Sequence, residues 1–370
     1  MKTFVLAIAL VMSAGVAVAQ RRARLPINDG TPEGQLLLQI GQEQNEERKV
    51  QLGDMFLEKY ANHEGVPWVL GTLQPLYLKA GQLDKAIAAG EKMLAADPED
   101  SEAAYGALQG AEGKKDPDLV VQWSNRTSEI ARKVAARPKP EAEDEVETWK
   151  ATVDYAKQLD IRTEYSFYAQ MLATADTQKK IALGEALEKR NPDSQYIPQM
   201  AEPWILAYQQ TGNQDRARAV AEKVALKDQS NETVLITAAD ATMTKQDYEK
   251  AAAYGEKLVA LMSSRPKPAG FSDADWEKKK NFSTGLGYWY AGIAYVGQSK
   301  WPEADQALRS ALPLVKENEQ LLAAALFNAG LANHGMKKMP DAAGFFEQCS
   351  KIQGPYQEQA QKNLKAVRKK

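Results

Sequence analysis

The chain has 370 residues, with 47 basic and 49 acidic side chains and a formal net charge of −2. This near balance argues against a nucleic-acid-binding protein, which concentrates positive charge on one surface. One cysteine excludes an intrachain disulfide. The folded state must therefore be stabilised by packing.

The start of the chain has the three parts of a secretory signal peptide. Lys2 precedes an apolar run from Phe4 to Val18, and small residues lead up to Ala19. We expect cleavage between Ala19 and Gln20 and a mature bacterial envelope protein, periplasmic or secreted, without a further membrane span. A retained membrane anchor is the alternative, although the run is short for one.

Residues 67–100 contain two helical patterns with a turn between them. Apolar side chains recur at helical spacing from Leu70 to Tyr77, Gly81 ends the first pattern, and Asp84 begins the second. A helix pair this short cannot bury its own apolar face. We therefore expect neighbours of the same kind along the chain.

This unit resembles the tetratricopeptide repeat, whose motif is Trp-x2-Leu-Gly-x2-Tyr, then Ala-x3-Phe, then Pro. The residues that match are Leu70, Leu73, Tyr77, Gly81, Ala86 and Pro98. Gln74 stands where the motif has glycine, and Gly90 stands where it has an aromatic residue. The pattern recurs along most of the chain. The resemblance implies an all-α fold, a right-handed α-solenoid of about eight helix hairpins with a C-terminal capping helix.

The repeat register divides the chain into segments. In chain order these are a signal peptide (1–19), a flexible arm (20–33), repeats one to three (34–134), a proline-containing break with an extended helix (135–160), repeats four to six (161–265), a second break with an extended helix (266–284), repeats seven and eight (285–356), and a capping helix with a basic tail (357–370). Both breaks read Arg-Pro-Lys-Pro, and each precedes a helix that carries tryptophan, Trp149 or Trp276. We interpret this recurrence as an internal duplication; chance is the alternative.

Catalytic and metal-binding motifs are missing from the sequence. The two histidines, His63 and His334, belong to the first and last repeats, and Cys349 has a core position at helical spacing. The acidic run from residue 141 to 147 is typical of a solvated helix start. No phosphate loop, dinucleotide fingerprint or zinc motif is present. We therefore expect no enzymatic activity, no cofactor and no metal.

The resemblance implies that certain positions of each first helix face a concave groove. Carried over to this sequence, those positions hold Gln35, Gln42, Trp68, Tyr105, Gln109, Arg162, Tyr165, Gln199, Glu202, Gln209, Asp240, Trp289 and Phe327. The combination of Lys, Asn and Arg residues that clamps a C-terminal carboxylate in some family members has no counterpart there. Aromatic and amide side chains suit a peptide segment with apolar side chains, either extended or helical.

The predicted function is a non-catalytic scaffold or adaptor of the cell envelope that binds other proteins or peptides through this groove. The alternative is a glycan- or nutrient-binding module, because aromatic faces also stack on sugars. A third possibility is that the extended helices cover the aromatic side chains internally. Self-association also remains open.

Overall fold

The computed structural model describes residues 27–369, and every regular element in that range is a helix. The chain divides into two compact units, the first ending at Ile197 and the second beginning at Pro198. The predicted signal peptide and its cleavage site, Ala19 and Gln20, lie outside the described residues.

Within the described residues, from 27 onward, the first unit contains eight helices. They are α1 (Pro32–Gln42), α2 (Glu46–Lys59), α3 (Val66–Lys79), α4 (Leu83–Ala96), α5 (Ser101–Lys114), α6 (Pro117–Ala135), α7 (Glu143–Ala173) and α8 (Thr177–Arg190). Consecutive helices pair as hairpins, α3 and α7 each also contact α5, and α6 contacts α8. The odd-numbered helices thus form one layer and the even-numbered helices a second layer. Phe56, Tyr77, Leu108 and Trp123 are fully buried in the core between these helices.

The second unit has the same two-layer arrangement. Its helices are α9 (Ile197–Gln210), α10 (Gln214–Ala225), α11 (Glu232–Thr244), α12 (Tyr248–Ser264), α13 (Asp273–Gly297), α14 (Trp301–Val315), α15 (Glu319–Gly335), α16 (Met339–Ser350) and α17 (Gln357–Arg368). The last helix packs against α15 and α16. Its Ala360 and Val367 share a core with Leu326 and Phe346. The predicted all-α fold of eight hairpins and a capping helix is therefore confirmed, whereas the finer segment limits stay predictions.

Short-range signals determine where the helices begin and end. The Thr31 side chain accepts a hydrogen bond from the Gly34 N–H at 3.2 Å, so α1 begins at Pro32, inside the segment predicted to be a flexible arm. Asp100 caps α5 in the same way, through the Ala103 N–H at 2.9 Å. Gly81 follows α3 with a φ of +70°, a backbone conformation that glycine adopts without steric cost.

Six hairpins carry a small residue at the same repeat position of their second helix. These residues are all buried: Gly53, Ala86, Ala217, Ala251, Ala304 and Ala342. A Cβ atom on Gly53 would overlap the Leu73 side chain of the next hairpin. Close packing of this kind tolerates little added volume.

Two odd-numbered helices are much longer than the others. Helix α7 has 31 residues and α13 has 25 residues, and each follows an Arg-Pro-Lys-Pro segment. Arg137 forms an ion pair with Glu99, just before α5, and its carbonyl accepts the Trp149 indole N–H at 3.0 Å. Arg265 lies 3.4 Å from Glu232, the first residue of α11. Each proline segment is thus anchored to the start of the preceding odd-numbered helix.

Candidate functional site on α5 and α7

Helices α5 and α7 lie side by side and run in the same direction. Tyr155 and Leu159 of α7 pack beside Tyr105, near the start of α5. Ser166 donates a hydrogen bond of 2.6 Å to Glu112, near the end of α5. Because α5 ends at Lys114, the last turns of α7 extend beyond it.

Arg162 is held in one orientation between the two helices. Its guanidinium donates two hydrogen bonds to the Glu112 carboxylate, each 2.9 Å long. The guanidinium carbon also lies 5.1 Å from the ring centroid of Tyr165 and 5.8 Å from that of Tyr105. Burial acts to lower the pKa of Arg162, but Glu112 outweighs it and raises that pKa. This bidentate pair neutralises the charge and keeps the guanidinium close to both rings.

Three tyrosine rings meet next to Arg162. The ring centroids of Tyr165 and Tyr168 are 6.0 Å apart, and Tyr196, in the turn before α9, lies 5.8 Å from the first and 5.9 Å from the second. Tyr168 and Tyr196 are stacked with an interplanar angle of 20°. Tyr196 is buried and the other two are half-buried. Burial raises the pKa of Tyr196, which keeps its hydroxyl protonated at neutral pH.

Exposed aliphatic side chains flank the tyrosines along α7. Ile161 is 49% exposed and Leu172 is 57% exposed. Together with Tyr165 and Tyr168 they follow a four-three-four spacing, which places them on one side of the helix. We define the α5–α7 face by the residues Tyr105, Glu112, Ile161, Arg162, Tyr165, Tyr168, Leu172 and Tyr196.

The predicted groove residues of the first unit fall into two groups. Tyr105, Arg162 and Tyr165 come together in the α5–α7 face. Gln109 is exposed on α5, whereas Trp68 of α3 is partly buried against the core.

The predicted polar residues of the second unit make contacts within that unit. Asp240 accepts a hydrogen bond from Arg218 at 2.8 Å, and Glu202 accepts one from Asn231 at 3.0 Å. Gln209 lies 3.4 Å from the Thr237 hydroxyl, and Gln199 is exposed on α9. These residues lie on α9 and α11.

Trp289 and Phe327 contribute to the core of the second unit. The Trp289 indole N–H donates to the Leu321 carbonyl at 3.0 Å. The Phe327 ring centroid lies 5.8 Å from that of Phe346 and 5.2 Å from that of Tyr356. Packing accounts for both side chains, and their participation in a binding surface stays a prediction.

Sequence reasoning missed five members of the α5–α7 face, namely Glu112, Ile161, Tyr168, Leu172 and Tyr196. Leu172 occupies a predicted groove-facing position, eleven residues after Ile161, and the periodicity contained the signal for it. Tyr196 lies between two helices, where helical spacing gives no information.

The candidate catalytic groups have structural partners. The His63 Nδ1 atom accepts the Gly65 N–H at 2.9 Å, and its ring meets Phe56 edge-on. The buried Cys349 thiol donates to the Ala323 carbonyl at 3.4 Å. Within residues 27–369, no three or more His, Cys, Asp or Glu side chains are grouped as metal ligands would be. No helix in the same range has the length and apolar character needed to cross a membrane.

Comparisons with known proteins give only distant likenesses. No protein-family model matches the sequence. No curated protein matches it either. Among solved structures, the hetero-tetramer Cut9–Hcn1 of the APC/C is similar over 97% of this chain, with 12% identity and a TM-score of 0.37, and the chain spans 59% of the length of that structure.

Two further solved structures are similar to this chain over most of its length, also at low sequence identity. The TPR domain of P58(IPK) is similar over 92% of this chain and 98% of its own, with 13% identity and a TM-score of 0.27. Yeast Tom70 is similar over 92% of this chain and 96% of its own, with 11% identity and a TM-score of 0.23. The described residues form helix hairpins, which are the unit that the resemblance to the tetratricopeptide repeat implies.

Proposed function

We propose that the protein is a non-catalytic scaffold of the bacterial cell envelope that binds a partner protein through the α5–α7 face. The observation that carries this proposal is the geometry around Arg162. A charged group is neutralised and held near two aromatic rings, beside exposed aliphatic side chains. Rigid aromatic groups next to exposed apolar side chains are typical of protein-binding surfaces.

A bound partner would cover exposed apolar side chains of the α5–α7 face. Leu172 and Ile161 are among the few large apolar side chains that are more than two-fifths exposed in residues 27–369. Removing such a side chain from water stabilises a complex by roughly 1.5–3 kcal/mol. Because Arg162 already has its carboxylate partner, covering this face leaves no unpaired charge behind.

Export is a separate part of the proposal and rests on the sequence. The apolar run from Phe4 to Val18 and the small residues up to Ala19 are typical of a cleaved signal peptide. The test is N-terminal sequencing of the protein recovered from fractionated cells. A chain that begins at Gln20 outside the cytoplasm supports export, and a chain that keeps Met1 in the cytoplasm contradicts it.

The binding proposal can be tested with a photocrosslinking amino acid. We would introduce p-benzoylphenylalanine at Leu172 and, as a matched control, at Leu226, which is 75% exposed in the second unit. Crosslinking in intact cells should give one discrete protein adduct from position 172 and none from position 226. Equal adducts from both positions, or no adduct from position 172, would overturn the assignment of the face.

A sugar ligand is the competing function, because stacked tyrosines also bind pyranose rings. Titration with cell-wall fragments and oligosaccharides, followed by intrinsic fluorescence, distinguishes the two. A saturable change with sugars, together with no protein adduct at position 172, would favour the glycan-binding module.

A further inference from the structure

We propose that the α5–α7 face binds a proline-rich segment of its partner in the extended polyproline II conformation. The segment would lie across Tyr165 and Tyr168 and reach Leu172. This inference rests on the proposed function and names the chemical class of the partner segment.

The charges of the α5–α7 face cancel within the face. Arg162 and Glu112 neutralise each other through two hydrogen bonds of 2.9 Å. Every other member of the face is tyrosine, isoleucine or leucine. A charged segment would lose hydration here without gaining a counter-charge, whereas an uncharged proline-rich segment would not.

The tyrosine hydroxyls of the face can serve as hydrogen-bond donors to a partner. The hydroxyls of Tyr165, Tyr168 and Tyr196 donate to no other residue in the described part of the chain. A helix uses its own backbone carbonyls internally, but a polyproline II segment has no internal hydrogen bonds and leaves its carbonyls open. Tyrosine hydroxyls can donate to those carbonyls while the rings pack against proline.

The length of the face along α7 matches that of a short polyproline II segment. Ile161 and Leu172 are eleven residues apart on one helix, which corresponds to about 16 Å. At ~3.1 Å per residue, a polyproline II segment covers that distance with about five residues. The ring centroids of Tyr165 and Tyr168, which the segment would cross, are 6.0 Å apart, close to the ~6.2 Å advance of two such residues. The rings therefore have a spacing that suits alternate residues of the segment.

The experiment is a calorimetric titration of the full chain with a synthetic peptide of about ten prolines. We expect saturable one-to-one binding. A Tyr165→Phe and Tyr168→Phe double variant keeps both rings but removes two donors, and we expect it to weaken binding roughly tenfold, the equivalent of about 1.4 kcal/mol. Tyr288→Phe, half-buried in the second unit, is the matched control and should bind as the unchanged chain does.

The other possible results of the titration and the crosslinking experiment contradict either the ligand class or the proposed function. Unchanged affinity in the double variant, or no binding of the proline peptide, would overturn the inference. If a leucine-rich amphipathic helical peptide bound instead, and Leu172 gave its crosslink, the docking function would stand and its proposed ligand class would be wrong. If both peptides failed and the crosslink was absent, the proposed function would fail as well. Circular dichroism of each variant checks that the helices are intact.

Discussion

The side-chain amide of Gln74 occupies the space that Gly106 leaves by lacking a side chain. Gln74 is on α3, and its Nε2 atom donates to the carbonyls of Ala86 on α4 and Ala103 on α5, at 3.1 and 3.0 Å. A Cβ atom on Gly106 would overlap this amide, and one on Gly90 would come within 2.9 Å of it. The two departures from the repeat motif, Gln74 and Gly90, are thus parts of one buried contact.

Replacing Gln74 by Ala should lower the free energy of unfolding by about 2 kcal/mol, because two buried hydrogen bonds are lost and a cavity is left. Gly106→Ala should cost about 1–3 kcal/mol through overlap with the amide. The double variant should be more stable than the sum of the two effects predicts, because the new methyl group enters the space that the amide leaves.

Urea denaturation followed by circular dichroism measures the three free energies. Gln109→Ala, an exposed glutamine on α5, is the matched control and should change stability by less than about 0.5 kcal/mol. Strict additivity of the two single effects would show that Gln74 and Gly106 do not share this space.

Glu232 should be the residue that holds the second proline segment in place. Its carboxylate accepts the Ser283 hydroxyl at 2.5 Å and lies 3.4 Å from Arg265 and 3.3 Å from Lys279. The Glu232 side chain is 12% exposed, while its two cationic partners are 38% and 45% exposed. Glu232→Ala should therefore cost about 1–2 kcal/mol, mainly through the hydrogen bond from Ser283.

Amide hydrogen exchange in residues 265–272 provides the local readout. Glu319→Ala is a close control, because Glu319 is also the first residue of a helix with an asparagine cap but is exposed. We expect faster exchange in that segment for Glu232→Ala alone. The same exchange rate in both variants would show that Glu232 does not anchor the segment.

Cys349 should be unreactive in the folded protein. Burial raises the pKa of its thiol from 9.0 to about 11. A disulfide reagent at pH 8 should therefore modify Cys349 only at the rate at which the second unit opens. Immediate stoichiometric modification of the folded chain would contradict the burial.

The same shift has a consequence for stability at alkaline pH. Because the folded state keeps the thiol proton to higher pH than the unfolded state does, its contribution is complete below about pH 9 and is lost as the pH rises toward 11. Cys349→Ser should flatten this part of the stability curve. Raised pKa values of buried tyrosines such as Tyr290 act in the same direction at still higher pH.

The amino-acid sequence by itself determined the hairpins. Helical spacing identified which side chains are buried, and glycine at Gly81 marked a turn. These features depend on contacts within one helix or between adjacent helices, and a motif of fixed spacing reports such contacts directly.

Only the tertiary structure decided which groups the predicted groove residues meet. Arg162 meets Glu112 across 50 residues of sequence, and Trp289 meets the Leu321 carbonyl across 32 residues. Both were predicted for the same surface, yet Arg162 joins an aromatic face with exposed neighbours and Trp289 is drawn into a core. Helical periodicity gives the direction of a side chain from its own helix, but the group that it meets comes from a different hairpin. That pairing depends on the packing of whole helices against each other.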